Sequence, residues 1–311
     1  MTQNNSSSTS TGFQKPPSCS RRAIFTTILR KSSIDEVSRA LRLASASFSP
    51  DEYRSLLSQA LRSAVYHGSA SVVEYLLSQE KAPGLDTLTP LTVAVSPSIE
   101  LLSVLVSHGW DLNRRQPDHG AGPGQRLLDF ICGDEALVRW CLEHGASAVE
   151  DLDPDPFKRP PLLESAAAFG TVSTFQLLHE RGARLGRRTL HRAVRNAAHC
   201  SKNDLKERME MVRYLVDELG LDVNQMDTEE GVKLPDHWGP PICYAAMWEE
   251  GKGGAEVVRF LLERGADPTI RDCWGINDAF RLAEFNKNQG MLEVLREWRE
   301  QKQNQNQNQG G

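Results

Sequence analysis

The chain has 311 residues, of which 39% are hydrophobic and 25% are charged, and its formal net charge at neutral pH is −5. The apolar content is sufficient for an ordinary folded protein. A net negative charge disfavours a sequence-independent grip on a phosphate backbone. Nowhere does the sequence approach the ~18 consecutive apolar residues that a membrane-spanning helix needs. We therefore expect neither nucleic acid nor a membrane as a partner.

Both ends of the chain are polar and of low complexity. Residues 1–20 are rich in Ser, Thr and Asn, and residues 301–311 are a Gln/Asn run that ends in two glycines. Such segments cannot bury enough apolar surface to offset the entropy of ordering. The sequence therefore predicts a disordered leader at 1–20 and a disordered tail at 301–311. The first acidic residue is Asp35, and this acid-poor start is also typical of a mitochondrial transit peptide, which is the lesser alternative for the leader.

After the leader, the pattern predicts helices that close the front of the fold. Ser33 followed by Glu36 is a helix-capping signal, and a second helix is predicted to follow Pro50. We assign residues 21–54 to N-terminal capping helices.

Residues 159–184 predict a complete helix–turn–helix unit. Gly170 permits a tight turn between the two helices, and Gly182 ends the second one. Small and apolar residues at helical spacing line one face of each helix: Leu163, Ala166 and Ala167 in the first, and Val172, Phe175, Leu177 and Leu178 in the second. Neither helix can bury its apolar stripe alone, so the unit must stack on neighbours.

The pattern recurs along the chain. Related copies lie near 61–77, 89–113, 128–146, 159–184, 189–224 and 241–268. Thr89-Pro90-Leu91, Thr189-Leu190-His191 and the closing Gly265-Ala266-Asp267 are similar to parts of the ankyrin pattern T-P-L-H-x-A-A-x-x-G with a closing G-A-D. The chain thus resembles the ankyrin repeat family. The fifth and sixth copies are long, which predicts surface insertions at 201–208 and 249–254.

The resemblance implies an all-α ankyrin-repeat solenoid of stacked helix–turn–helix units with short hairpin fingers. The repeats would span 55–271 and a C-terminal capping repeat would span 272–300, with each unit stabilised mainly by its neighbours. Family members bind other proteins through hairpin tips and first-helix faces. We therefore predict a non-catalytic interaction module or scaffold, monomeric by itself, with a protein partner. The alternative is a substrate adaptor that joins a ubiquitin-ligase-type assembly through its N-terminal segment, although no F-box-like or SOCS-like motif is recognisable there.

Two tryptophans are the strongest candidates for partner contact. Trp238 and Trp274 lie in DHWG and DCWG, immediately before turn glycines, at positions that the resemblance places on hairpin tips. Exposed aromatic residues are common binding anchors, although packing onto neighbouring turns is the alternative. The predicted surface also includes charged and polar tip residues: Asp236, His237, Arg271 and Asp272 beside the tryptophans, and Arg114, Arg115, Arg187 and Arg188 on earlier fingers. Acidic residues beside an apolar anchor in the partner would complement this surface.

Catalytic, cofactor and metal motifs are not recognisable. The six cysteines show no C-x-x-C or paired spacing, which favours reduced thiols and a cytoplasmic or nuclear location. His191, His199 and Cys200 resemble a metal cluster weakly, but adjacent side chains diverge and His191 falls on the histidine of the repeat pattern, so we expect no metal site. No hydrolase, zinc-protease or dinucleotide fingerprint occurs. Asn113 and Asn224 are predicted to stabilise turns.

Overall fold

The computed structural model describes residues 33–117, 124–149, 160–233, 237–247 and 254–309. Within these ranges every α- or 3-10-helical element belongs to one of two compact units, Met1–Asp111 and Leu112–Gly311, and no β-strand occurs. The described residues are all-α and form stacked helix pairs, as predicted. The leader, Asp236 and most of the insertion at 249–254 lie outside the described residues.

The first unit contains two layers of helices. Its elements are α1 (Ile34–Ser47), α2 (Pro50–Tyr66), α3 (Ala70–Leu77), a 3-10 turn (Leu85–Thr87), α4 (Pro90–Val93) and α5 (Ile99–Ser107). Ser33 caps α1 together with Glu36, as predicted, because its hydroxyl accepts from the Glu36 amide while the Glu36 carboxylate accepts from the Ser33 amide. Helices α2 and α4 pack as first helices, and α3 packs on α5 as a second helix.

The second unit has the same two-layer pattern, with five helix pairs among its described residues. The pairs are α6 (Leu127–Ile131) with α7 (Glu135–Glu143), α8 (Leu162–Phe169) with α9 (Val172–Glu180), α10 (Thr189–His199) with α11 (Leu205–Arg213), α12 (Pro241–Ala246) with α13 (Gly254–Glu263), and α14 (Ala279–Phe285) with α15 (Gln289–Gln309). The first helices α6, α8, α10, α12 and α14 each pack against the next. Helix α11 ends in a π-helical turn, Tyr214–Glu218.

The predicted apolar stripes form the core. Buried alanines such as Ala166, Ala193 and Ala245 let neighbouring first helices approach closely, and Phe175 and Leu178 fill the space beneath them. Within each unit the core is therefore spread along the helix pairs. Each layer is buried by the adjacent repeat, which is why short helices of eight to eleven residues are stable here.

The two predicted turn asparagines join successive repeats. The Asn113 amide donates to the Gly145 carbonyl at 2.9 Å, and its Oδ1 accepts from the Ser147 amide at 2.8 Å. The second asparagine makes the matching pair, from Asn224 to Gly265 at 3.0 Å and Asp267 at 2.8 Å. The sequence predicted that these side chains stabilise their own turns. They instead bond to the helix end of the next repeat, so they fix the spacing between repeats.

Two segments differ from the sequence prediction. Residues 301–309 form the last turns of α15 instead of a disordered tail, because an established helix extends without a new nucleation cost and no Gly or Pro lies between Met291 and Gln309. The insertion predicted at 201–208 is loop only through Asp204. Residues from Leu205 are helical, and Arg208 Nη1 donates to the Gly170 carbonyl at 2.8 Å.

Candidate protein-binding site

The finger at 272–277 is a tight turn organised by one buried carboxylate. Asp272 accepts hydrogen bonds from the amides of Trp274 (3.1 Å) and Ile276 (2.9 Å) and from the side-chain amide of Asn277 (2.7 Å). Its own amide donates to the Asn277 carbonyl at 2.7 Å. The turn backbone is thus fixed, while Trp274 and Ile276 remain 47% and 51% exposed. The finger presents two large apolar side chains from a preorganised loop.

Cations flank this apolar tip. The Lys233 ammonium lies 5.5 Å from the centroid of the Trp274 ring, within the range of a cation–π interaction. Arg271 is exposed and its Nη1 donates to the Gly275 carbonyl at 3.3 Å. The tip therefore combines an aromatic anchor, an aliphatic side chain and positive charge, whereas its one carboxylate, Asp272, points inward.

The second predicted anchor, Trp238, is held differently. Asp227 is fully buried and accepts from the amides of Trp238 (2.7 Å) and Gly239 (3.2 Å) and from the Tyr244 hydroxyl (2.6 Å). Trp238 is only half-buried, and the two tryptophans are therefore not equivalent. Gly239 has a φ of 89°, and a side chain there would meet Asp272 Cα at 3.0 Å. Glycine is required because the two fingers touch at this point.

A buried histidine lies beneath the same finger. His191 on α10 donates from Nε2 to the Gln225 carbonyl at 3.0 Å, and its ring meets Tyr244 edge to face at 5.1 Å. Burial lowers the pKa of His191 from 6.5 to about 4, although the nearby Asp227 carboxylate and the Gln225 carbonyl act in the opposite direction. The imidazole is thus neutral at pH 7 and packs in the core.

This histidine should make stability depend on pH. Between pH 6.5 and 4 the unfolded chain binds a proton at His191 that the folded chain does not, so the stabilisation present above pH 6.5 is lost as the pH falls towards 4. The loss is about 3 kcal/mol. We expect His191→Gln to reduce the slope of the urea-unfolding midpoint plotted against pH between pH 7 and 4.5. His179→Gln, at an exposed site on α9, should leave the slope unchanged, and equal slopes for both variants would contradict the assignment.

A second buried carboxylate holds the arginines of the neighbouring finger. Glu164 on α8 is almost fully buried and accepts from the Arg188 amide at 3.1 Å, with Arg188 Nε at 3.5 Å and Arg192 Nε at 3.9 Å from its Oε2. Burial raises the pKa of Glu164, and the two guanidinium groups oppose this shift. A side chain at Gly186 would lie 2.3 Å from Glu164 Oε1, so this turn requires glycine. Arg188 is therefore part of an internal ion pair.

The remaining predicted residues occupy varied positions. Arg115 Nη1 donates to the Gly124 carbonyl at 3.1 Å and so spans its own finger. Arg187 lies near the exposed Glu229, at 3.8 Å. By exposure the described candidates fall into exposed (Arg187, Arg271, Trp274), half-buried (Arg114, Arg115, Arg188, Trp238) and buried (His237, Asp272) groups. Whether these residues bind a partner stays a prediction.

The structure also contains a groove that the sequence analysis did not identify. It lies between the C-terminal ends of α8 and α10, has a volume of about 510 Å³, and is lined by Ala168, Phe169, Arg192, Arg195, Asn196 and His199. We call it the α8–α10 groove. A compositional signal was present, because residues 165–200 contain six arginines and a single acidic residue. The periodicity that identified the core contained no information about which arginines remain at the surface.

Neither a metal site nor a membrane helix is found in the described part of the chain. No group of three His, Cys, Asp or Glu side chains is placed to hold a metal ion there, and His191 and His199 belong to the core and the groove rim instead. No described helix is both long and apolar enough to cross a membrane.

Comparison with known proteins identifies one repeat in the sequence. The ankyrin repeat family model matches residues 240–273, which include α12, α13 and the start of the Trp274 finger. Residues 240–273 therefore match an ankyrin repeat. The crystal structure of the human ASB11 ankyrin repeat domain is similar to it with 16% sequence identity and a TM-score of 0.45, over 76% of this chain and 82% of that one. No curated protein matches the sequence.

Proposed function

We propose that the chain is a non-catalytic protein-interaction module that binds its partner through the hairpin fingers and first-helix faces of the second unit. Ankyrin repeats in general mediate protein–protein interactions. The observation that carries the proposal is the exposure of Trp274 and Ile276 on a turn whose backbone is fixed by Asp272. A preorganised apolar tip loses little entropy on binding, and tryptophan is enriched among residues that dominate binding energy.

The electrostatic surroundings support a protein partner with negative charge. Lys233 and Arg271 flank the tip, and the exposed Arg187 lies two fingers earlier, 3.8 Å from Glu229. Positive charge around an apolar anchor steers association and selects acidic surfaces. The adaptor alternative depends on the N-terminal segment, whose residues 1–32 lie outside the described ranges, and it stays an untested prediction, as does a cytoplasmic or nuclear location.

The proposal predicts that the finger tip can be disabled without unfolding the protein. We expect the double variant Trp274→Ala/Ile276→Ser to keep nearly the wild-type melting temperature, because both side chains are about half exposed and lie on a finger tip outside the core. Its affinity for the partner should fall by at least about 30-fold, which corresponds to a typical hot-spot loss of about 2 kcal/mol.

The measurement is affinity purification of the full chain with quantitative mass spectrometry, followed by calorimetry with each recovered partner. Leu43→Ser is the matched control, since it also removes an exposed apolar side chain but lies on α1 in the first unit. An unchanged partner set and unchanged affinities for the double variant would contradict the proposal.

A further inference from the structure

The first unit has a groove of its own, between two of its first helices. The groove lies between α2 and α4, has a volume of about 360 Å³, and is lined by Gln59, Arg62, Ser63, Tyr66 and Thr92. We call it the α2–α4 groove. Helices α2 and α4 pack on each other, and the 17-residue α2 begins with a complete capping box at Ser49 and Glu52. The groove therefore lies on a well-supported helical surface.

An exposed apolar patch borders one end of this groove. Tyr66, the last residue of α2, is 52% exposed, and Val95, which closely follows α4, is 46% exposed. The turns that follow the two helices touch, because a side chain at Gly68 would lie 3.0 Å from the Ser96 carbonyl oxygen. Tyrosine is enriched among the residues that dominate binding energy. This end of the groove therefore offers an apolar contact.

One turn earlier on α2 the groove carries a cation. Arg62 is exposed and forms no ion pair with the carboxylates that the structure describes. None of the described residues that line the groove is acidic. Guanidinium groups bind carboxylates with paired, charge-assisted hydrogen bonds. The groove therefore complements a negative charge at Arg62.

The spacing of the cation and the ring fixes the register of a bound chain. Arg62 and Tyr66 are four residues apart, so they lie on one face of α2 and are separated by about 6 Å along its axis. In an extended chain, residues i and i+2 point to the same side and are about 6.6 Å apart. An extended segment that runs along α2 thus places one side chain at Arg62 and the next but one at Tyr66.

Gln59 continues the same stripe by almost one turn. It lies three residues before Arg62, and its side-chain nitrogen donates to Ser55 Oγ at 3.2 Å. The side-chain oxygen of Gln59 is then an acceptor beside the groove, which suits a backbone N–H of an extended segment. The groove can therefore contact both the backbone and the side chains of such a segment.

We propose that the α2–α4 groove binds an extended segment of a protein partner in which an acidic residue and a large apolar residue are two positions apart. The carboxylate pairs with Arg62, and the apolar side chain covers Tyr66 and Val95. This contact goes beyond the proposed function, because it lies in the first unit and uses none of the finger residues around Trp274.

Two other occupants complement the groove less well. Residues 1–34 of this chain contain no acidic residue, and their positive charges, among them Arg21 and Arg22, would be repelled by Arg62. A nucleic-acid strand needs a continuous cationic track with successive stacking rings. The groove provides one guanidinium group and one aromatic ring. An acidic–apolar segment of another protein is therefore the favoured ligand.

The test is a selection of random twelve-residue peptides on the full chain, with a counter-selection on Arg62→Ala, followed by fluorescence anisotropy with labelled enriched peptides. We expect enriched sequences to contain Asp or Glu two positions from Leu, Ile, Phe, Tyr or Trp. Their affinity should fall about tenfold or more for Arg62→Ala and for Tyr66→Ser, as expected for the loss of a charge-assisted or hot-spot contact. Arg42→Ala, which removes an exposed arginine of α1 outside the groove, should leave binding unchanged.

A charge exchange tests the pairing directly. Arg62→Glu should lose the acidic peptide, whereas the same peptide with its acidic residue replaced by Lys should bind Arg62→Glu more tightly than it binds the wild-type protein. Circular dichroism checks that each variant keeps its helical content.

Several outcomes would overturn the inference. No enrichment over the counter-selection would do so, as would enriched peptides without the acidic–apolar pair at this spacing or with equal affinity for Arg62→Ala and wild type. Tighter binding of a synthetic peptide of residues 1–32 would assign the groove to this chain's own leader, and tighter binding of a twelve-nucleotide single strand would assign it to nucleic acid. Peptide binding that is lost in Trp274→Ala/Ile276→Ser but kept in Arg62→Ala would reject the groove while leaving the proposed function intact.

Discussion

Replacing Asp227 by alanine is expected to destabilise the second unit by at least about 3 kcal/mol, because three buried hydrogen-bond donors lose their acceptor. The carboxylate is fully buried and accepts from the Trp238 amide, the Gly239 amide and the Tyr244 hydroxyl. All three donors would lose their acceptor in a site closed to water, and each unsatisfied donor costs about 1–3 kcal/mol. This exceeds the cost of most surface substitutions several-fold.

Urea unfolding followed by far-UV circular dichroism measures this loss. Asp222→Ala is the matched control, because Asp222 also accepts a backbone hydrogen bond, from Asn224 at 2.8 Å, but is exposed to solvent. Its cost should stay below about 1 kcal/mol. Tyr244→Phe removes one donor, so adding it to Asp227→Ala should recover part of the lost stability. Equal midpoints for Asp227→Ala and Asp222→Ala would show that the buried network does not hold the finger.

The repeats could be predicted from sequence because helix periodicity is a local signal. The stripe that contains Leu163, Ala166 and Phe175 predicts the two helices of the fourth unit, and each of these residues is buried in the structure. The family pattern then predicted that these helix pairs stack on one another. The same reasoning extended to weaker copies, because a helix that cannot bury its stripe alone must lie against a neighbour.

The candidate site could be predicted only in part, because its geometry depends on contacts between repeats. Trp238 and Trp274 occupy equivalent places in the sequence, yet only Trp274 is exposed. The difference arises from Asp227, which binds the backbone at Trp238 from eleven residues away, and from the close approach of Gly239 to Asp272. Neither contact has a sequence motif of its own.

Similar reasoning explains why the arginines could not be assigned. Arg187 and Arg188 are adjacent in sequence, but Arg188 turns inward to Glu164, which lies 24 residues earlier in the chain. The turn at Gly186 makes this possible, since only a residue without a side chain leaves room for the carboxylate. Which arginine is a surface charge is therefore decided by a turn and by a helix of the preceding repeat.

Deletion of residues 272–311 is expected to give the largest loss of stability. Helix α13 packs against α15, and α12 packs against α14, so the truncation uncovers the apolar face that includes Val257, Phe260 and Leu261. Burial of each such side chain contributes about 1.5–3 kcal/mol to the stability of the folded protein. The sum approaches the whole stability of a typical domain, about 5–15 kcal/mol, so the truncated chain should aggregate or melt well below the full chain.

The matched control is deletion of residues 301–311 alone. The described side chains in this part, 301–307, are exposed, so the shorter deletion removes helical turns but no core contacts. Leu295→Asp in the full chain tests the interface without shortening it, because Leu295 is fully buried on α15. Size-exclusion chromatography and calorimetric melting compare the three proteins. If the chain ending at Arg271 remained monomeric with an unchanged melting temperature, α14 and α15 would not cap the array, and the sixth repeat would have to protect its own outer face.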